Sequence, residues 1–162
     1  MAGELHRMSL PAAILQQGFW LYVWKVGLPN GAEVHYVGMT GDTGSTVAQS
    51  AMNRVAAHLG RNVHSNALQR YLKEQLDVEL VACSSLEFFA FGPVYPAPAK
   101  AEYAYHRGRV AALERHLWGR LRDAGYEMLN KQPGARAELD EDRWRDVCAA
   151  FQQAYPKLKK AG

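Results

Sequence analysis

Residues 19–39 restrict the fold most, because "FWLYVWKV" and "EVHYVGM" there flank "GLPNGA". Aromatic and β-branched residues suit a pleated, half-buried surface, so the runs at 19–26 and 33–39 predict two strands. Pro29, Asn30 and Gly31 supply turn chemistry between them, Asn-Gly being suited to positive φ. Alternation places Trp20, Tyr22 and Trp24 on one face of the first strand. On the second it places Val34, Tyr36 and Gly38 together, with His35, Val37 and Met39 opposite.

Beyond the hairpin the apolar period changes from two to helical. Val47, Ala48, Ala51, Met52, Val55 and Leu59 predict a helix over about 46–59, with Ser45 or Thr46 as cap and Gly60 as its end. "SNALQRYLKEQL" (65–76) predicts a second helix, capped by Ser65 and striped by Leu68, Leu72 and Leu76. "DVELVACSS" and "LEFFAFGPVY" read as one or two further strands. A long helix over about 99–124 buries Val110, Leu113, Leu117 and Leu121, and Gly125 closes it. "YEMLN" (126–130) reads as a short extended segment, and a final helix over about 139–155 buries Trp144, Val147, Cys148, Phe151 and Tyr155. The order predicts an α+β fold, a small and mainly antiparallel central sheet of about three strands flanked by helices. Residues 1–17 read as a leader, with a helical turn in "SLPAAILQQ"; 18–134 as the main domain; and 135–162 as a helical extension packed on it.

Bulk properties narrow the function classes only a little. The 19 Lys and Arg exceed the 16 Asp and Glu by three, too small an excess to announce nucleic-acid binding by itself. The cations are grouped around Arg54–Arg70 and Arg107–Arg122, and grouping sets local potential more than the total does. Two cysteines without metal-ligand spacing suit a reducing compartment. No apolar run approaches the ~20 residues a membrane span needs. The expectation is a soluble, cytoplasmic protein.

Several residues carry potential chemistry. Arg54 and His58, at i and i+4 in "NRVAAHLG", would share a helix face. Arginine forks onto phosphate oxygens, and histidine exchanges protons near neutral pH. The same pair also reads as a solvated helix face. Glu114 lies beside the apolar stripe, where a carboxylate needs a partner. That partner is either a neighbouring arginine or a hard divalent cation completed by water and substrate phosphate. Tyr22 and Tyr36 also read as cross-strand packing, and Gly38 as the exit from the sheet. Arg61, Asn66 and Arg70 are candidates for phosphate contact as well as for solvated surface.

In chain order, Tyr22 in "LYV", "YVG" at 36–38, Arg54, His58, Glu114 and then Asn130 at the end of "YEMLN" resemble the GIY-YIG nuclease family over about residues 19–130. The first motif reads Trp20-Leu21-Tyr22 in place of Gly-Ile-Tyr, and the Glu114–Asn130 gap is about one helical turn longer than usual in the family. The resemblance implies a GIY-YIG-like catalytic domain at 18–134 that hydrolyses DNA phosphodiesters with one Mg²⁺ or Mn²⁺. Catalysis would fall to Tyr22, Tyr36, Arg54, His58, Glu114 and Asn130, with Glu114 as the metal ligand and Gly38, Arg61, Asn66 and Arg70 on the nucleic acid. Either tyrosine would be the general base, Tyr22 being favoured, with His58 holding it or relaying its proton and Asn130 positioning. A restriction-type enzyme, possible as a homodimer, is one form of this. A non-catalytic nucleic-acid-binding or accessory module on the same scaffold is the alternative.

Overall fold

The computed structural model describes residues 3–41, 47–60 and 66–159. Strand β1 (Gly18–Gly27) lies between β2 (Glu33–Met39) and β3 (Ser85–Pro96) in an antiparallel sheet of order β2-β1-β3. Four helices surround it: α1 (Ala51–Leu59), α2 (Ala67–Leu76), α3 (Tyr103–Asp123) and α4 (Glu141–Gln152). The fold is the α+β class expected, with three strands.

The hairpin forms as its sequence predicts. Gly31, at φ +84°, donates its N–H to Leu28 O at 3.0 Å, and Asn30 Oδ1 accepts from Ala32 N. Tyr22 pairs with Gly38 and Trp24 with Tyr36, so alternation puts these side chains on one face. Phe19, Leu21, Val23, Val37 and Met39 occupy the other and pack on Val110, Leu113, Leu117 and Leu121 of α3 and on Trp144, Val147, Cys148 and Phe151 of α4. Because α4 contributes to the same core as α3, the segment after 134 is an integral layer of the fold. On the first face, Tyr22, Trp24, Val26 and Val34 are covered by Val55 of α1 and by Leu68 and Leu72 of α2.

Some local expectations are corrected. Residues 77–84 do not form a strand: Asp77 closes α2 in the left-handed region at φ 51°, and Leu80–Ala82 is a 3₁₀ turn with Val81 fully in solvent. The segment instead turns the chain from α2 into β3, with Cys83 N donating to Leu80 O and Ser84 N to Gly27 O. Helix α1 begins at Ala51, capped by Ser50, whose Oγ accepts from Asn53 N. Asn66 caps α2. Ser45, Thr46 and Ser65 lie outside the described residues. The long helix starts at Tyr103, after a 3₁₀ turn at Lys100–Glu102.

"YEMLN" is extended, as expected, and lies parallel along the outer edge of β2. His35 N donates to Glu127 O at 2.9 Å, and Leu129 N to His35 O at 2.7 Å. This edge is therefore paired, and its exposed backbone groups find partners. Leader residues Ala12–Leu15 form a single 3₁₀ turn whose Ile14 packs against Trp20 and Ala51. No helix among the described residues is long and apolar enough to cross a membrane, and Cys83 and Cys148 are free thiols.

Candidate active site

The site is assembled where the hairpin meets α1. Strand alternation aims Tyr22 and Tyr36 at α1 from adjacent strands, with ring centroids 6.5 Å apart and planes 17° from parallel. Cross-strand pairing opposes Tyr22 to Gly38, where a Cβ would overlap the tip of the Tyr22 ring. The glycine after the second tyrosine is therefore the space in which the first tyrosine lies.

One turn of α1 separates Arg54 from His58, and the histidine is buried between the tyrosines. Its Nε2 shares a 2.8 Å hydrogen bond with Tyr22 Oη. Its ring lies edge-on to Tyr36, with centroids 5.2 Å apart. His58 Nδ1 is buried with no hydrogen-bond partner among the described residues. Burial, with the positive charge of Arg54 added, pushes the imidazole down to about 4, so it is neutral at physiological pH.

Glu114 completes the group from α3. It is only partly exposed, and burial pushes its carboxyl up to about 8, while the charges of Arg107 and then Arg54 act in the opposite direction. Its charge reaches Tyr36. Burial raises the Tyr36 phenol, with Glu114 and Tyr71 adding to the rise and Arg54 and Arg70 opposing it. Tyr22 is joined to His58 by its hydrogen bond and to Tyr36 by ring contact, and the charges of Arg54 and Glu114 act on Tyr36, so the five residues, drawn from four elements, form one connected group.

Asn130 acts one step behind it. Its Nδ2 donates to Val37 O at 2.8 Å and its Oδ1 accepts from Val37 N at 3.2 Å, so the amide clasps β2 between Tyr36 and Gly38. Its own carbonyl accepts from Trp118 Nε1 at 2.9 Å, one turn after Glu114 on α3. Asn130 therefore ties the tyrosine strand to the glutamate helix. Its side chain is committed to backbone, which makes it a positioning residue and not one that meets a reacting atom.

The residues expected on nucleic acid are treated differently by the fold. Asn66 is fully buried: its Oδ1 accepts from Gln69 N and its Nδ2 donates to Gly60 O, so its polar atoms serve the start of α2 and offer nothing to a phosphate. The correction follows from the cap preference of asparagine. Gly38 is buried under the Tyr22 ring. Arg70 is exposed and lies over the Tyr71 ring, 5.9 Å from its centroid. Arg61 lies outside the described residues.

Two further residues join the cluster that motif spacing did not single out. Tyr71 packs on Tyr36, centroids 6.1 Å apart, and the charge of Arg107 acts on Glu114. A signal existed for Arg107, since it precedes Glu114 by seven residues and so shares its helix face.

A hard cation such as Mg²⁺ is compatible with this donor set. Among the described residues no three His, Cys, Asp or Glu side chains gather into a cage. Yet a single half-buried carboxylate with its charge penalised by burial is the kind of ligand such an ion uses when water and substrate oxygens fill its remaining positions. Compared with family models, with curated proteins and with solved structures, this chain matches none.

Proposed function

We propose that this protein is a metal-dependent DNA endonuclease of the GIY-YIG type. The observation that carries the reading is convergence: Tyr22, Tyr36 and His58, from β1, β2 and α1, are in contact, and the charges of Arg54 on α1 and Glu114 on α3 act on Tyr36 among them. Groups that act on one phosphate must converge in this way.

In this reading Arg54 binds the phosphate and offsets the charge that grows on its non-bridging oxygens as water attacks phosphorus and the P–O bond to the leaving oxygen breaks. Glu114 would hold Mg²⁺ or Mn²⁺, an ion that supplies Lewis-acid stabilisation of the phosphate and leaving oxygen. Tyr22 takes the proton of the attacking water while passing its own phenolic proton along the 2.8 Å bond to His58 Nε2. The resting histidine is neutral, and the negative charge of a bound phosphate would offset the burial and the Arg54 charge that oppose its cation. Tyr36, whose phenol is held above its ordinary range by burial, keeps its proton and orients water or phosphate by donating it. This assigns the base role to the Tyr22–His58 pair. A restriction-type enzyme cutting duplex DNA as a homodimer is one form of this reading.

Supercoiled plasmid incubated with Mg²⁺ or Mn²⁺ tests the reading. Nicked circles or discrete fragments that disappear with EDTA and with Glu114→Ala are the expected result. A plasmid left intact by the wild-type protein, followed by intact branched and flapped DNA, would favour the accessory module.

A further inference from the structure

We propose that Arg107 is a second phosphate-binding arginine of this site, holding a DNA phosphate at the Glu114 end of the cluster. The inference rests on the nuclease reading and adds a residue for which the tyrosine, arginine, histidine and glutamate set has no counterpart.

Three observations place it there. Arg107 precedes Glu114 by two helical turns on α3, so both project from one side of the helix. Its Nε donates to Gly41 O at 3.0 Å. Gly41 follows β2 by two residues and has φ +128°, and a Cβ there would meet Phe19 Cε1 at 2.8 Å, so the accepting carbonyl belongs to a tightly constrained backbone. The guanidinium is thus anchored by one edge, half-buried, at the exit of the strand that carries Tyr36.

What remains is a fork. Arginine has five N–H donors. Among the described residues the Nη groups of Arg107 meet no acceptor and it forms no ion pair, and Glu114 lies two turns along the same helix face. A clamp on one carbonyl needs a single donor. A planar fork with one edge fixed and the other open beside the candidate metal ligand matches two oxygens of a phosphate. Pre-anchoring also lowers the side-chain entropy lost on binding.

The test compares wild type with Arg107→Gln, which keeps a donor for Gly41 O, and Arg107→Lys, which keeps the charge. Binding of a short fluorescein-labelled duplex is followed by anisotropy in EDTA between about 50 and 200 mM salt, because each neutralised phosphate contributes about 0.9 to the slope of log K against log salt. Arg107→Gln is expected to reduce that slope by about one and to weaken binding several-fold, with Tm held near wild type, and Arg107→Lys to restore the slope. An unchanged slope in Arg107→Gln overturns the proposal, since a purely structural clamp would alter Tm and not the number of phosphates engaged. If Arg107→Gln does not fold, the salt slope of Arg107→Met, which keeps the aliphatic stem, decides: a slope reduced by about one supports the phosphate contact, and a wild-type slope overturns it. A wild-type protein that binds and cuts DNA while Arg107→Gln behaves identically removes only this inference. A wild type that neither binds nor cuts removes the nuclease reading together with it.

Discussion

The two faces of the sheet are made by the same strands and differ in what they bury. Toward α3 and α4 the strands present Phe19, Leu21, Val23, Val37 and Met39, packed against Leu113, Leu117 and Leu121, all three without solvent exposure. Its polar exceptions are few: His35, whose Nδ1 bonds Glu127 O, and the Tyr155 hydroxyl. Toward α1 and α2 the strands present Tyr22, Trp24 and Tyr36, with His58 among them, and both Trp24 Nε1 and His58 Nδ1 are buried without partners among the described residues. Leaving a buried polar atom unpaired costs about 1–3 kcal/mol. The Tyr155 hydroxyl is likewise without a partner among the described residues, so both faces carry this cost, and the second is distinguished by gathering its polar groups around the tyrosines and His58. Such a division is expected where a site must be preorganised on a rigid scaffold.

The sharpest way to break the comparison is Glu114→Gln. Glu114 reaches the polar cluster from α3, so if that cluster exists for chemistry, plasmid cleavage falls by about 10³-fold or more, since a lost metal ligand removes several kcal/mol of transition-state stabilisation. In metal-free buffer near pH 8 the same change raises Tm. The carboxyl is raised to about 8 when folded against an ordinary 4.5, so the folded state binds more protons between those values, and stability is lost as pH rises through that window. Removing the charge removes the loss. A Tm that falls would mean that Glu114 is a structural ion-pair partner.

The complementary change on the first face is Leu117→Ala, expected to cost about 3 kcal/mol by opening a cavity in a fully packed stripe. Below the lowered Tm, cleavage per folded molecule should stay within a few-fold of wild type. A large loss of rate there would show that the two faces are coupled and not divided.

Gly38→Ala probes the boundary between them. The added methyl displaces the Tyr22 ring, and overpacking of this sort costs about 1–3 kcal/mol. Because the displaced ring carries the bond to His58, cleavage should drop more than stability does. Chemical denaturation and a plasmid assay on the same preparation separate the two effects.

The smallest effect is in pH. His58 takes up its proton near pH 4 in the folded state and near 6.5 when unfolded, so the unfolded state binds more protons between these values. Stability contributed by the neutral imidazole is full above 6.5 and falls as pH drops toward 4, by about 2 kcal/mol between pH 7 and 5. Denaturant titrations of wild type and His58→Gln at those two pH values measure the difference. Equal slopes would mean that His58 is accessible to water and not sealed between the tyrosines.

Much of this arrangement was legible in the sequence. The period of two in 19–26 and 33–39 put Tyr22 and Tyr36 on a shared side, and the helical period of α3 identified Val110, Leu113, Leu117 and Leu121 as its buried stripe, because both patterns are properties of a backbone a few residues long. Arg54 with His58 on one helix face and the extended "YEMLN" were legible for the same reason. Residues 77–84 depart from their β-propensity because propensity along the chain does not register the left-handed close of α2 at Asp77 or the 3₁₀ turn that follows. Asn66 was misread because a cap and a phosphate contact demand the same polar side chain.

Only the tertiary structure decided how these pieces meet. Asn130 clasps Val37 across 93 residues of chain, Gly38 is kept small by a tyrosine on the neighbouring strand, and Arg107 reaches Gly41 across 66 residues. Periodicity along a chain fixes which way a side chain faces, but which groups share a dielectric and a field is set by the packing of elements that are distant in sequence. For that reason the shifts at Glu114, His58 and Tyr36 belong to the fold and not to their motifs.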